Sequence, residues 1–310
     1  MSVISNLKTK LLLLLPHWLF IRLKTLLNRF RNRKSNTIAG KIEDLRTLFI
    51  YNHPIHQVPP ATGRLRLLQE ADTILLKMFS DKCAEHGLRY WIDFGTLLGA
   101  VRHKGFIPWD DDTDVSMMKS EYDKLWELLP IMFPKEEGFT WRKHGFIQIN
   151  YKDTAINLDI FPYYFHSEKF SPEVREEVAN NIRNVHKKIN FARGQVSMPD
   201  AEVTALINKE ILKSKRELSE SEYPAIFPTP VSDCDKVLEY DTIFPLKQIT
   251  FENHLFFGPN KPRKRLSITF GDFMAYPSTF VSQHFHTESM LKSNVLISTI
   301  CEFIDKYENR

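Results

Sequence analysis

Asp112 and Asp114 stand two residues apart at the head of Thr113 to Met117, a run that reads as a β-strand. Both carboxylates then project from one face, while Thr113 and Val115 project from the other. Two carboxylates in one place repel each other, and a hard divalent cation that also takes phosphate oxygens removes the conflict. A third carboxylate is expected from elsewhere, and Asp159 in Asn157-Leu158-Asp159-Ile160-Phe161 sits inside an apolar strand where a bare charge is penalised. Asp112, Asp114 and Asp159 are therefore the expected catalytic and metal-binding set, with Mg²⁺ or Mn²⁺ as the ion. The alternatives are a solvated acidic turn for the first two and a salt bridge to Arg102 or Arg142 for Asp159. Asp93, directly before a glycine, is a weaker candidate ligand.

Phosphate chemistry is suggested upstream, in Gly95-Thr96-Leu97-Leu98-Gly99-Ala100-Val101-Arg102. A glycine after a strand permits a tight turn, and the free N–H groups of the following helix can hold a phosphate beside the Thr96 hydroxyl. Gly95, Thr96, Arg102 and Asp110 are the expected donor-binding residues. His103, Lys104 and a second basic cluster, Lys261 and Arg263 to Arg265, are weaker phosphate candidates, because basic clusters are more often solvated faces. Trp109 and Trp141 read as packing residues.

These residues need a scaffold, and the hydrophobic periodicity supplies one. Leu68, Ala71, Leu75, Met78 and Phe79 mark one face of a helix that Gly87 should close, and Leu88 to Asp93 reads as a buried strand. Further strands are expected at 113–117, 146–150 and 156–161, with helices at 121–129 and 171–191. The fold class is α/β (α+β): a mixed sheet flanked by helices, with an N-terminal amphipathic helix. The expected layout is a basic amphipathic segment at 1–40, a catalytic domain at 64–290 and a C-terminal helix at 291–310.

The net charge of +4 belongs to the N-terminus, since residues 1–40 hold eight Lys or Arg and no acid, leaving 34 bases against 38 acids in the rest. That balance argues against nucleic acid as a partner. Leu11 to Ile21 is an apolar run broken by Pro16 and His17, short of the roughly 20 residues a membrane-spanning helix requires. Phe20, Leu23, Leu26, Leu27 and Phe30 continue at helical spacing among arginines and lysines, the pattern of a helix lying on an anionic membrane surface or docked on the protein's own core. The expected location is the cytoplasm, peripheral on the inner face of the membrane. Cys83, Cys234 and Cys301 have no zinc-site spacing and are expected as free thiols.

Gly95 to Arg102, then Ile107-Pro108-Trp109-Asp110 to Asp114, resembles the LicD family, related to fukutin and its relatives. Leu158-Asp159-Ile160-Phe161, Ile243-Phe244-Pro245-Leu246 and Phe251-Glu252 extend the resemblance from about Arg64 to Pro277. Phe270-Gly271-Asp272 departs from it, standing where the family commonly has Tyr-Gly. The resemblance implies a nucleotidyltransferase-like fold, and transfer of phosphocholine, or a related polyol or amine phosphate, from a CDP-linked donor to the hydroxyl of a glycan or glycolipid acceptor in lipopolysaccharide or other surface-glycan biosynthesis. Asp110 or Asp112 is then a candidate to take the acceptor's proton. Two other readings share the acidic pair: a glycosyltransferase using Asp-x-Asp to hold a metal and a sugar nucleotide, and a non-catalytic protein recruited to the membrane by its N-terminal helix.

Overall fold

The computed structural model describes residues 53–143, 145–167, 171–189, 198–212, 220–228, 236–276 and 291–308. The expected N-terminal amphipathic helix and Cys234 lie outside these residues. His56–Arg310 form one unit.

Helix α1 (Gly63–Glu85) opens it, and its buried residues Leu68, Ala71, Leu75, Leu76, Phe79 and Cys83 recur every three or four positions. Each leucine or phenylalanine removed from water there contributes about 1.5–3 kcal/mol. Gly87, in the left-handed region at φ 65°, follows the helix, as expected from its type. Strand β1 (Trp91–Ile92), helix α2 (Phe94–Arg102), strand β2 (Thr113–Met118) and helix α3 (Lys119–Met132) come next. The hairpin β3 (Phe139–Lys143) and β4 (Ile147–Tyr151) leads into β5 (Asn157–His166), which runs five residues beyond the expected strand. Those residues have a use of their own, because Tyr163–His166 pair with β6 (Ala225–Pro228), which in turn pairs with β7 (Leu238–Glu239).

The resulting sheet has the order β1-β2-β5-β4-β3, with β6 and β7 attached along the far end of β5. It is mixed: β2 and β5 are parallel and the other pairings are antiparallel. A parallel neighbour needs a long crossover, here α3 together with the β3–β4 hairpin. One sheet face, carrying Val115, Ile149, Leu158 and Ile160, packs with α1, α3 and helix α8 (Asn294–Tyr307), whose Phe303 ring lies 4.6 Å from that of Tyr151.

A second apolar cluster joins helices α4 (Pro172–Ile189) and α5 (Asp200–Glu210) to Tyr164, Ala225 and Phe227. After the short helix α6 (Tyr240–Ile243), strands β8 (Lys247–Phe251) and β9 (His254–Gly258) form a separate hairpin. Its two-residue turn, Glu252-Asn253, has φ of 47° and 63°, the left-handed pair that matches the twist of flanking strands. Helix α7 (Pro262–Phe270) follows.

Candidate active site

Strand register assembles the acidic residues. Asp114 is the direct partner of Asp159 across β2 and β5, Gln148 is the partner of Asp159 on β4, and Arg142 is the partner of Gln148 on β3. The four form one row across four strands, on the face opposite the main core. Gln148 Nε2 donates to Asp159 Oδ1 at 2.6 Å, and Arg142 Nη2 donates to Gln148 Oε1. Arg142 thus reaches Asp159 through Gln148, rather than by the direct salt bridge considered from sequence. Asp112, just before β2, completes the group: one oxygen from each of Asp112, Asp114 and Asp159 lies within 4.8 Å of the others. Asp110 and Asp111 make a similar trio with Asp112.

Burial and mutual repulsion raise Asp159, Asp114 and Asp110 together. Burial, then the neighbouring Asp112, pushes Asp159 up to about 7, against the opposing effects of Gln148 and Arg142. Burial, then Asp112, Asp159 and Asp110, holds Asp114 well above the usual carboxylate range, and burial with Asp112 and Asp111 does the same for Asp110. Like charges placed directly opposite in a sheet destabilise it. Oxygen donors of this density suit a hard divalent ion, which supports the fit of these residues to Mg²⁺.

Helix α2 is pressed against the loop that carries the acids, and its two glycines make that possible. They sit four residues apart on one helix face. A Cβ on Gly95 would come within 2.8 Å of Asp110 Oδ2 and 3.4 Å of Asp114 Oδ2, while a Cβ on Gly99 would overlap the Gly105 carbonyl and approach Ile107 N at 3.1 Å. The expected reason for Gly95, a tight turn, is therefore corrected: the left-handed residue is Phe94, at φ 43°, and Gly95 admits a carboxylate. Its N–H donates to Asp114 Oδ2 at 3.2 Å. Thr96, buried, accepts the Asp114 N–H on its hydroxyl oxygen at 2.7 Å, so it holds the strand that bears the acid.

Two further residues brace the same loop, and a third braces the start of β5. Gln69, wholly buried on α1, donates to the carbonyls of Asp110 at 2.9 Å and Ile107 at 3.4 Å. Glu252, at the β8–β9 turn, accepts from Phe106 N–H at 2.9 Å and from Arg66 Nη2 at 2.7 Å, and it fills the space a side chain on Gly105 would need. Burial opposes its ionisation, but the bonds from Arg66 and Phe106 prevail and hold Glu252 below the usual range. Asp72, also buried on α1, accepts the Asn157 N–H at 3.0 Å at the start of β5. Burial, outweighing that bond, and the fields of Asp112, Asp111 and Asp159 keep Asp72 well above the usual range. Sequence reasoning missed Gln69, Asp72 and the role of Gln148; the available signal was a pair of polar residues, Gln69 and Asp72, inside the apolar stripe of α1.

The basic candidates separate. Arg265 is not a phosphate ligand: it is 1% exposed and its Nε stands 2.9 Å from Oδ1 of Asp93, itself fully buried. Ser116 Oγ, Tyr163 OH and Arg265 Nη2 all donate to Asp93 Oδ2, at 2.9, 3.2 and 3.0 Å, which removes Asp93 from the candidate ligands. Arg102 donates from Nη1 to the Phe273 carbonyl at 2.9 Å and from Nε to His103 Nε2 at 2.9 Å, with its field reaching Asp110. Burial draws Arg102 down to about 10 and His103 to about 4. Lys104 lines a 350 Å³ recess with Lys261, Arg263 and Lys264. Trp109 and Trp141 pack partly buried against the main core, as expected. Cys83 and Cys301 are free thiols. Among the described residues, no helix is long and apolar enough to cross a membrane.

Residues 87–201 match the sequence model of the LicD/FKTN/FKRP nucleotidyltransferase domain. That segment is similar to the LicD-family domain. The matched segment contains Gly95, Thr96, Arg102, Asp110, Asp112, Asp114 and Asp159, whereas the braces Gln69, Asp72 and Glu252 lie outside it. The chain is 50% identical to the lipopolysaccharide cholinephosphotransferase LicD of Haemophilus influenzae over 51 residues, 16% of this chain and 19% of that protein. It is 33% identical to the human ribitol 5-phosphate transferase FKRP over 85 residues, 25% of this chain and 17% of that protein. An uncharacterised protein of Rickettsia typhi is 34% identical over 108 residues, 35% of this chain and 33% of the relative. The chain thus spans a third or less of the length of these relatives.

Proposed function

We propose that the LicD-family domain catalyses metal-dependent transfer of a phosphate-linked small group, phosphocholine or a related polyol or amine phosphate, from a CDP-activated donor to a glycan hydroxyl. The observation that carries this reading is the meeting of Asp112, just before β2, with Asp114 and Asp159 on the adjacent strands β2 and β5, with oxygens within 4.8 Å of one another. Phosphoryl-group transfer is a matter of positioning and charge neutralisation, which a cation held by these three carboxylates would supply. The named relatives, a cholinephosphotransferase and a ribitol 5-phosphate transferase, support the class of group transferred.

Asp112, Asp114 and Asp159 would hold Mg²⁺, which when bound supplies a positive charge to a donor diphosphate and its CMP leaving group. The chain's own residues do the rest. Gln148 and Arg142 orient Asp159, Thr96 and Gly95 orient Asp114, and Gln69 with Glu252 holds the loop of Asp110 to Asp112 against α2. Asp110 or Asp112 would accept the proton of the acceptor hydroxyl. The experiment is a donor panel: CMP release from a CDP-linked donor in the presence of Mg²⁺ and a surface-glycan acceptor is expected, and UDP release from a sugar nucleotide would instead support the glycosyltransferase reading.

A further inference from the structure

Next to the polar row lies an aromatic one. Phe161 follows Asp159 by two residues on β5 and so shares its face, and its ring is 4.8 Å from that of Phe146, stacked at 29°, and 5.0 Å from that of Phe94. All three are half-buried. Among the described residues, Phe94 and Phe161 belong to none of the three apolar clusters that stabilise the fold. Phe94 moreover adopts φ 43°, a conformation that side-chain-bearing residues avoid and that persists where surrounding structure enforces it. Here the enforcement is visible on both sides. Asp93 is locked by Arg265, Ser116 and Tyr163, and Gly95 is bonded to Asp114, which leaves the Phe94 ring between the Arg265 guanidinium, 5.1 Å away, and Phe161.

Phe146 packs at the edge of the second apolar cluster, whereas the strained Phe94 and the partly open Phe161 ring serve none of the three, which calls for a ligand with a flat face. We propose that Phe94, Phe161 and Phe146 form the wall against which the donor's nucleobase stacks, an inference that rests on the metal and phosphate reading given above. Phe161 lies about 7 Å along the strand from Asp159, a separation that a ribose spans between a nucleotide's phosphate and its base. Aromatic side chains bind bases through their π-faces without needing a hydrogen-bond code.

The test is calorimetric titration of the full chain, with Mg²⁺ present, using CMP and ribose 5-phosphate, which lacks the base. Wild type should bind CMP at least about tenfold more tightly than ribose 5-phosphate. Phe161→Leu should abolish that advantage while leaving ribose 5-phosphate binding unchanged, and Phe161→Tyr should retain it. Should Phe161→Leu lose the wild-type thermal transition, Phe94→Leu makes the same comparison. Equal affinity of wild type for the two ligands, with binding that still requires Mg²⁺, overturns the wall but leaves the phosphate reading standing. A Phe161→Leu protein that binds CMP normally while its acceptor KM rises assigns the wall to the acceptor sugar, and also overturns it. Failure of both ligands to bind wild type in a Mg²⁺-dependent way sinks the underlying reading, and this inference with it.

Discussion

Asp114 and Asp159 face each other as register partners on the parallel strands β2 and β5, 45 positions apart in the chain and adjacent in the sheet. A parallel pair of this kind puts two carboxylates in one row, and Gln148 and Arg142 continue that row on β4 and β3. Asp159 then depends on Gln148 for its orientation. Gln148→Leu is expected to weaken Mg²⁺ binding about 10- to 100-fold, the usual effect of removing a group that orients a metal ligand. Asp159→Asn, like Asp112→Asn and Asp114→Asn, should lower turnover by at least roughly a thousandfold with the fold retained. Metal titration and single-turnover rates of the four variants check both statements. Unchanged Mg²⁺ affinity in Gln148→Leu would show the row to be structural.

The pH dependence of stability follows from Asp159, raised by burial and then by Asp112 to about 7 in the metal-free protein. The folded chain then keeps a proton that the unfolded chain releases near pH 4, so metal-free stability falls as pH rises from about 4 to 7. A cation takes the place of that proton. Mg²⁺ should therefore raise the melting temperature more at about pH 7.5 than at about pH 5.5. Equal shifts at the two values would place the ion elsewhere.

The two glycines of α2 should respond differently to alanine. In Gly99→Ala the new Cβ meets backbone at Gly105 and Ile107, which cannot yield, and a loss of about 1–3 kcal/mol in stability is expected. In Gly95→Ala it meets the end of the Asp110 side chain, which can swing, so the fold should survive while Mg²⁺ affinity falls. Chemical denaturation and metal titration of both variants separate the effects. A Gly95→Ala protein with normal metal affinity would show that Asp110 has room to spare.

Thr96→Val keeps side-chain shape but leaves the Asp114 N–H without its acceptor. A buried donor stranded in this way costs about 1–3 kcal/mol. Stability and metal binding should fall together, with Thr96→Ser restoring both. If only donor binding suffers, the Thr96 hydroxyl serves the phosphate and not the strand.

Arg265→Met leaves Asp93 as a buried charge without its partner, and breaking such a pair costs about 3–5 kcal/mol. Arg263→Met, on the exposed side of α7, should cost little by comparison. Denaturation midpoints for the pair decide the matter. Equal stabilities would mean that the Asp93 network holds without Arg265.

The acidic cluster was legible in the residue types, because the physical conflict is local: Asp112, just before β2, and Asp114 within it stand two residues apart, and Asp159 in an apolar run demands a partner wherever the strand lies. The mixed sheet flanked by helices was legible for a similar reason, since apolar periodicity along α1 and β5 reflects which face each element must bury. The sequence could not show which strands are neighbours. Register, set by the packing of whole strands, made Gln148 the partner of Asp159 and placed Arg142 one step further away. Nor could it show that Gly95 exists to admit Asp110, that Arg265 is spent on Asp93, or that Gln69, Asp72 and Glu252 brace the acidic loop and the start of β5. Those contacts join residues 15 to 172 positions apart, and only the folded chain brings such distant groups within bonding distance.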